Sequence, residues 1–142
     1  MKNLVIIYWS GTGNTQGMAE WIMEGAQNGD VNVRLLNVGD ASVEDVSMAD
    51  AVAFGCPSMG AEVLEESEME PFIDSISNVV NGKNMILFGS YGWGNGEWMS
   101  DWQERMEGYG AKVIVDGFII NNEADSEGIE RCKEIGKLLS KA

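Results

Sequence analysis

Five short apolar runs, alternating with stretches of helical spacing, constrain this chain more than any other feature. The runs cover residues 3–8, 31–36, 51–55, 84–89 and 112–120. They are rich in Val, Ile and Leu, and several are bounded by Gly, Asn or Asp, as strands of a buried sheet are. Three later groups recur at helical spacing: Met69, Phe72, Ile73, Ile76 and Val80; Trp98, Trp102, Met106 and Tyr109; then, from about Asp125, Ile129, Cys132, Ile135 and Leu139. Residues 40–50 show the weakest pattern. Parallel neighbours cannot be joined by a tight hairpin, so alternation of this kind implies right-handed crossovers and helices on both faces. The fold class is α/β, a doubly wound parallel sheet of five strands. With 142 residues and no repeat, low-complexity tract or Pro-rich linker, residues 1–142 read as one domain.

Sheets of this class bind ligands beyond the carboxyl ends of their strands, where the strand order reverses. The loops after strands one, three and four are therefore the informative ones. The first reads Ser10-Gly11-Thr12-Gly13-Asn14-Thr15 and enters a helix near Asn14. Amides at a helix start, with hydroxyls at alternate positions, form a cradle for phosphate. A nucleoside-triphosphate loop needs a closing Gly-Lys-Ser/Thr, yet no Lys or Arg lies between Lys2 and Arg34. A dinucleotide fingerprint needs a third glycine where Gln16 stands. A phosphate held without a cation suggests a terminal monophosphate, whose free oxygens amides and hydroxyls can surround.

The second loop is Cys56-Pro57-Ser58-Met59-Gly60-Ala61-Glu62, where Gly60 can take positive φ and let the peptide between Met59 and Gly60 turn over. The third is Ser90-Tyr91-Gly92-Trp93-Gly94-Asn95-Gly96. Trp93 stands between glycines with no helical register to bury it, and a flat aromatic ligand would account for an indole there. Trp98 and Trp102, four apart on the next helix, read as core. The three loops meet at one end of the sheet if the strand order is 2-1-3-4-5.

Several functions are excluded. There is no histidine, so imidazole-based triads are absent. Cys56 and Cys132 lack the number and spacing of a zinc site or disulfide framework and read as small buried hydrophobes. A phosphorylated receiver needs acids where Gly55-Cys56 and Trp9-Ser10 stand, and a low-molecular-weight phosphatase needs Arg at position 62, which is Glu. The formal net charge of −14 opposes binding to nucleic acid or an anionic membrane. No apolar run approaches a membrane span and no signal-peptide pattern opens the chain, so cytoplasmic residence is expected. Between Arg34 and Lys83 there is no basic residue, while Glu62, Glu65, Glu66, Glu68 and Glu70 crowd together, suggesting an acidic docking face for basic partners.

The segments Tyr8–Thr15 (YWSGTGNT), Cys56–Glu62 with its Met-Gly, and Phe88–Met99 (FGSYGWGNGEWM) resemble the short-chain flavodoxins of anaerobic bacteria, and the resemblance extends over essentially the whole chain. It implies the strand order 2-1-3-4-5 known from flavodoxin itself, with FMN as cofactor. It assigns Ser10, Thr12, Gly13, Asn14 and Thr15 to the FMN phosphate, with Ser90 nearby. Met59 and Trp93 would sandwich the isoalloxazine, Gly60 and Glu62 would meet its N5 and N3 edge, and Gly92 its O2. Gly11, Pro57, Ser58, Ala61, Tyr91 and Gly94 complete the expected site. Pro57 and Ala61 depart from relatives that carry polar residues there. The implied function is a monomeric, low-potential one-electron carrier cycling between FMN semiquinone and hydroquinone. Its expected partners are basic-surfaced redox enzymes that also use ferredoxin. The alternatives are an FMN-dependent quinone or NAD(P)H reductase on the same fold, and an interaction module without flavin.

Overall fold

The apolar runs form strands because a parallel sheet covered on both faces leaves no side of its central strands to water. In the computed structural model, which describes residues 2–27 and 30–142, every residue of β3 (Ala51–Gly55) is buried, as are Met85 to Ser90 of β4 (Asn84–Tyr91). These strands lie beside β1 (Lys2–Tyr8) and β2 (Val31–Asn37) in the parallel order β2-β1-β3-β4, with the fifth position beyond β4. The expected order 2-1-3-4-5 is the observed one.

The fifth position is filled in two pieces, not by the single run 112–120. β5 (Lys112–Val113) pairs with Asn84 and Met85, and β6 (Phe118–Asn121) pairs with Phe88 to Tyr91. The interruption follows from Asp116-Gly117, a turn dipeptide inside the apolar run. Gln103 of α4 (Glu97–Gly108) accepts from the Gly117 N–H at 2.8 Å and donates to Asp116 Oδ1 at 3.3 Å, drawing this segment toward the helix.

Two cores flank the sheet. On one side Met18 and Ile22 of α1 (Asn14–Ala26) meet Ile135 and Leu139 of α5 (Ser126–Lys141) over Leu4, Ile6 and Phe88. The two helices approach so closely at Gly136 that a Cβ there would stand 2.0 Å from the Ile22 carbonyl oxygen. On the other side Ile73, Trp98, Trp102 and Met106 cover Val52, Phe54 and Leu87. Trp98, Trp102, Cys56 and Cys132 are buried core residues, as their spacing implied. Burial pushes both thiols up to about 12.

The weak pattern at 40–50 corresponds to one short helix, α2 (Val43–Ser47), closed by a reciprocal cap between Ser42 and Asp45. Helical spacing over 69–80 overstates α3, which covers Met69–Ser75. Its Pro71 is tolerated in the first turn, where the missing N–H has no intrahelical partner. At the other end the Ser75 hydroxyl donates to the Phe72 carbonyl at 2.6 Å, a competing bond that favours stopping. Ile76 and Val80 stay buried in the turns that follow.

Candidate functional site

Register brings the three loops together. Tyr8 pairs with Gly55 and Gly55 with Phe88, so β1, β3 and β4 reach their carboxyl ends on one row. The loops then start side by side and are stitched by backbone bonds. Trp9 N–H donates to Gly55 O at 3.0 Å, Cys56 N–H to Phe88 O at 3.1 Å, and Ser58 N–H to Ser90 O at 3.0 Å.

In the first loop the Ser10 hydroxyl accepts from the N–H groups of Gly13 and Gln16 at 3.1 and 3.3 Å. It thus closes the start of α1 in place of Gly13, the N-cap, which has no side chain and takes φ +98°. Thr15 is buried; its hydroxyl bonds the Ser90 hydroxyl at 2.8 Å and accepts from the Ser90 N–H at 3.4 Å. The first and third loops are therefore tied beneath the rim, and Ser90 belongs to the assembly.

The second loop makes a tight antiparallel turn in which Met59 and Val63 exchange both backbone bonds at 2.9 Å. Gly60 and Glu62 both have positive φ, +50° and +56°. This changes the expectation for the turn: rotating the Met59–Gly60 peptide would break the bond from Val63 N–H to Met59 O. The next peptide, Gly60–Ala61, makes no such bond among the described residues, so turning it over would break none.

Trp93 is 63% exposed, the large indole without cover that its glycine-flanked position implied. A cleft of about 270 Å³ between the loops is lined by Gly11, Thr12, Asn14, Pro57, Ser58, Met59, Ser90, Tyr91 and Gly92. Ser10, Gly13 and Thr15 lie outside its lining, as do Gly60, Ala61, Glu62, Trp93 and Gly94. A wider groove of about 520 Å³ along α4 and β6 carries none of the residues of the first two loops.

Two lining residues escaped the sequence reading, Trp9 and Asn122. Trp9 stood in view, immediately before the Ser10 turn. Asn122 follows β6 with φ +59°, and its N–H donates to Tyr91 O at 2.8 Å. An Asn-Asn pair ending an apolar run was the available signal, because asparagine tolerates the left-handed region.

The acidic stretch is only partly a solvated face. Glu70 forms a two-pronged ion pair with Arg105 at 2.8 and 2.7 Å, tying α3 to α4. Glu62 is bonded to the start of α4. Glu65 is buried, and its carboxylate accepts from the N–H groups of Ser67, Glu68 and Met69 at 2.8, 2.7 and 3.1 Å and from the Ser67 hydroxyl. Burial opposes its charge, but the bonds from Ser67, Glu68 and Met69 outweigh that and hold its carboxyl below the usual glutamate range. Only Glu66 and Glu68 of the five are exposed.

A lowered folded-state value contributes stability above the unfolded value, lost as pH falls through the folded one. Glu65→Gln should therefore destabilise the protein by about 1–3 kcal/mol at pH 7. The deficit should shrink once acid has protonated Glu65 in the parent. Urea unfolding at pH 7 and pH 3 checks this, and an equal deficit at both would count against it.

One end of the cleft thus offers hydroxyls and amides without a cation, suited to an anionic group. The other offers the Met59 thioether, and the uncovered Trp93 indole follows the lining residues Tyr91 and Gly92 in the third loop, a pair suited to a flat ring. Comparison with known proteins agrees with this chemistry. The family model described as Flavodoxin matches residues 6–136. The flavodoxin of Clostridium beijerinckii is 49% identical over 135 residues, covering 95% of this chain and 97% of that protein. The flavodoxin of Megasphaera elsdenii is 45% identical over 137 residues, covering 96% and 98%. The solution structure of two-electron reduced M. elsdenii flavodoxin superposes with a TM-score of 0.88, covering 98% of this chain and 99% of that one. An archaeal flavodoxin structure superposes at 0.90 with 28% identity, covering 98% and 96%.

Proposed function

This chain belongs to the flavodoxin family, and from that premise we propose that the loops after β1, β3 and β4 hold FMN in the cleft they enclose. The protein is an FMN-bound electron carrier and turns over no substrate of its own. The observation that carries the site assignment is the pairing of Tyr8, Gly55 and Phe88 in one row. It brings the cation-free Ser10–Thr15 turn and the loop that carries Trp93 to one edge of the sheet.

The residues present fit FMN. Gly11, Thr12 and Asn14 line the cleft at the start of α1, where first-turn amides have no intrahelical partner. Ser10 fixes that turn from within, Thr15 ties it to Ser90, and both would hold the phosphate with them. Met59 and Trp93 would take the two faces of the ring, and Trp9 and Asn122 add to the walls. The bound flavin supplies the redox chemistry, taking up and releasing electrons one at a time. The Gly60–Ala61 peptide can present either its carbonyl or its N–H to a neighbour, because glycine at 60 makes both turn forms accessible. Pro57 offers no hydroxyl or N–H, so anion contacts near it fall to Ser58 and Ser90.

Glu66 and Glu68 remain as exposed acids in the segment that follows the second loop, and the −14 net charge favours basic redox partners through association rate and orientation. The protein acts as a monomer within the cytoplasm in this reading; no helix among the described residues is long and apolar enough to cross a membrane.

Titrating the flavin-free protein with FMN, followed by tryptophan fluorescence, tests the assignment. One FMN should bind per chain, and Trp93→Ala should weaken binding by about 1–3 kcal/mol, the worth of an aromatic stack. Unchanged affinity in that variant would remove Trp93 from the site.

A further inference from the structure

β6 is the outermost strand on its side of the sheet, and among the described residues no strand pairs with its other edge. The ladder shows which of its backbone groups are spare. The Phe88 and Ser90 carbonyls accept from Cys56 and Ser58 on the β3 side, whereas the Tyr91 carbonyl accepts from Asn122 on the β6 side. Direction alternates along a strand, so Phe118, Ile120 and Asn122 face β4, and the N–H and C=O of Ile119 and Asn121 point outward. Ile119 packs on the core beneath α4, and Phe118 and Ile120 on the core beneath α1 and α5, yet all three keep part of their surface in solvent. An apolar edge of this kind is a template for a further strand.

A groove opens on each face beside that edge. One of about 520 Å³ lies between α4 and β6, the other of about 460 Å³ between β6 and the start of α5. A strand sends successive side chains to opposite faces, so an added strand would place side chains in both. Glu104, Glu107 and Asp116 line the first groove, and Glu123 and Glu127 the second, all of them exposed. The cation beside the second groove, Arg131, is paired with Glu134.

We propose that the outer edge of β6 is a docking strand for an extended, Lys- or Arg-bearing segment of a partner protein. The segment adds to the sheet beyond β6 and lays its cationic side chains among the acids of both grooves. Main-chain bonds to Ile119 and Asn121 supply the register, and the acids select the sign of charge. A second copy of this chain is the wrong occupant, because it would set these acids against one another in a protein of net charge −14. The edge is short, four residues or about 13 Å, and ends at Asn122, which lines the cleft. A partner held here is therefore anchored at the rim of the cleft, whatever the cleft binds.

The test titrates the full-length protein, with and without FMN, with a blocked heptapeptide, Lys-Lys-Val-Thr-Val-Lys-Lys, read by amide NMR shifts and hydrogen exchange. A control peptide methylated on its three central peptide nitrogens keeps every charge but loses the N–H groups that pair. The heptapeptide should shift the Ile119 and Asn121 amides and, near saturation, slow their exchange about tenfold or more, with Ile86 in β4 unchanged. The methylated peptide should bind about tenfold or more weakly. Glu104→Gln combined with Glu107→Gln should weaken the heptapeptide about threefold or more. Equal binding of the two peptides would mean that charge alone attracts them and overturns strand pairing, and unchanged affinity in the double variant overturns the charge match. Shifts at Glu66 and Glu68 with none at Ile119 and Asn121, or no binding up to about 1 mM peptide, overturn the site. A dimer formed through Ile119 and Asn121 without peptide would give the edge to a second copy and overturn the partner segment.

Discussion

Gly89→Ala should lower stability by about 3 kcal/mol, at the upper end of overpacking costs, and should weaken FMN binding as well. A Cβ at Gly89 would stand 2.1 Å from the Cys56 carbonyl oxygen and 3.1 Å from the Trp98 ring. Backbone cannot step aside as a flexible side chain can, so β3 and β4 would have to separate at their carboxyl ends. The same carbonyl accepts from Trp98 Nε1 at 3.1 Å, and the neighbouring bonds from Cys56 N–H to Phe88 O and from Ser58 N–H to Ser90 O hold the second loop to the third. The damage thus reaches the core and the cleft together. Thermal unfolding should fall by roughly 6–15 °C for a chain of this size. Gly17→Ala is the matched control: nothing lies within 4 Å of a Cβ there, at the end of the first turn of α1. It should leave FMN binding intact and stabilise by about 0.5–1 kcal/mol. Calorimetry on both variants decides, and a Gly89→Ala protein with parental stability would contradict the close packing described.

The second large effect concerns the phosphate. Riboflavin, which lacks it, should bind about a hundred- to ten-thousandfold more weakly than FMN, since two bonds to a charged group at roughly 1.5–3 kcal/mol each come to about 3–6 kcal/mol. Salt should separate this cradle from a cationic one. With no Lys or Arg between Lys2 and Arg34, and with a net charge of −14, the protein as a whole repels the dianion it binds. Raising ionic strength from about 0.01 to 0.15 M shortens the screening length from roughly 30 to 8 Å. FMN affinity should hold or increase over that range. Equal binding of riboflavin, or a steep loss of FMN with salt, would mean that the phosphate sits elsewhere.

The parts of this account that were legible in the sequence are local ones. The Ser10–Thr15 turn declares itself by glycines and hydroxyls at a helix start, and Trp93 by its glycine neighbours. Buried central strands are visible as uninterrupted apolar runs at 51–55 and 84–89. Contacts between distant residues were not visible. Nothing near Glu62 announces that its carboxylate caps α4, and nothing near Glu70 announces Arg105, 35 positions away. The acidic stretch therefore looked more solvent-facing than it is. The division of the run 112–120 depended on Gln103 reaching across to Asp116 and Gly117. Asn122 lay beyond a strand end placed at 120, in a loop whose part in the cleft comes from its bond to Tyr91. The pinned Met59–Gly60 peptide likewise required knowing that Val63 returns to face Met59.

Stepwise reduction of the FMN-loaded protein, followed by visible absorption, tests the carrier function most directly. The expected course has two separate one-electron stages, with a long-wavelength band rising after the first equivalent and fading with the second, and no steady NAD(P)H oxidation by the protein alone. Direct bleaching by two electrons without an intermediate stage, accompanied by NAD(P)H turnover, would contradict a one-electron carrier and point to a flavin-dependent reductase.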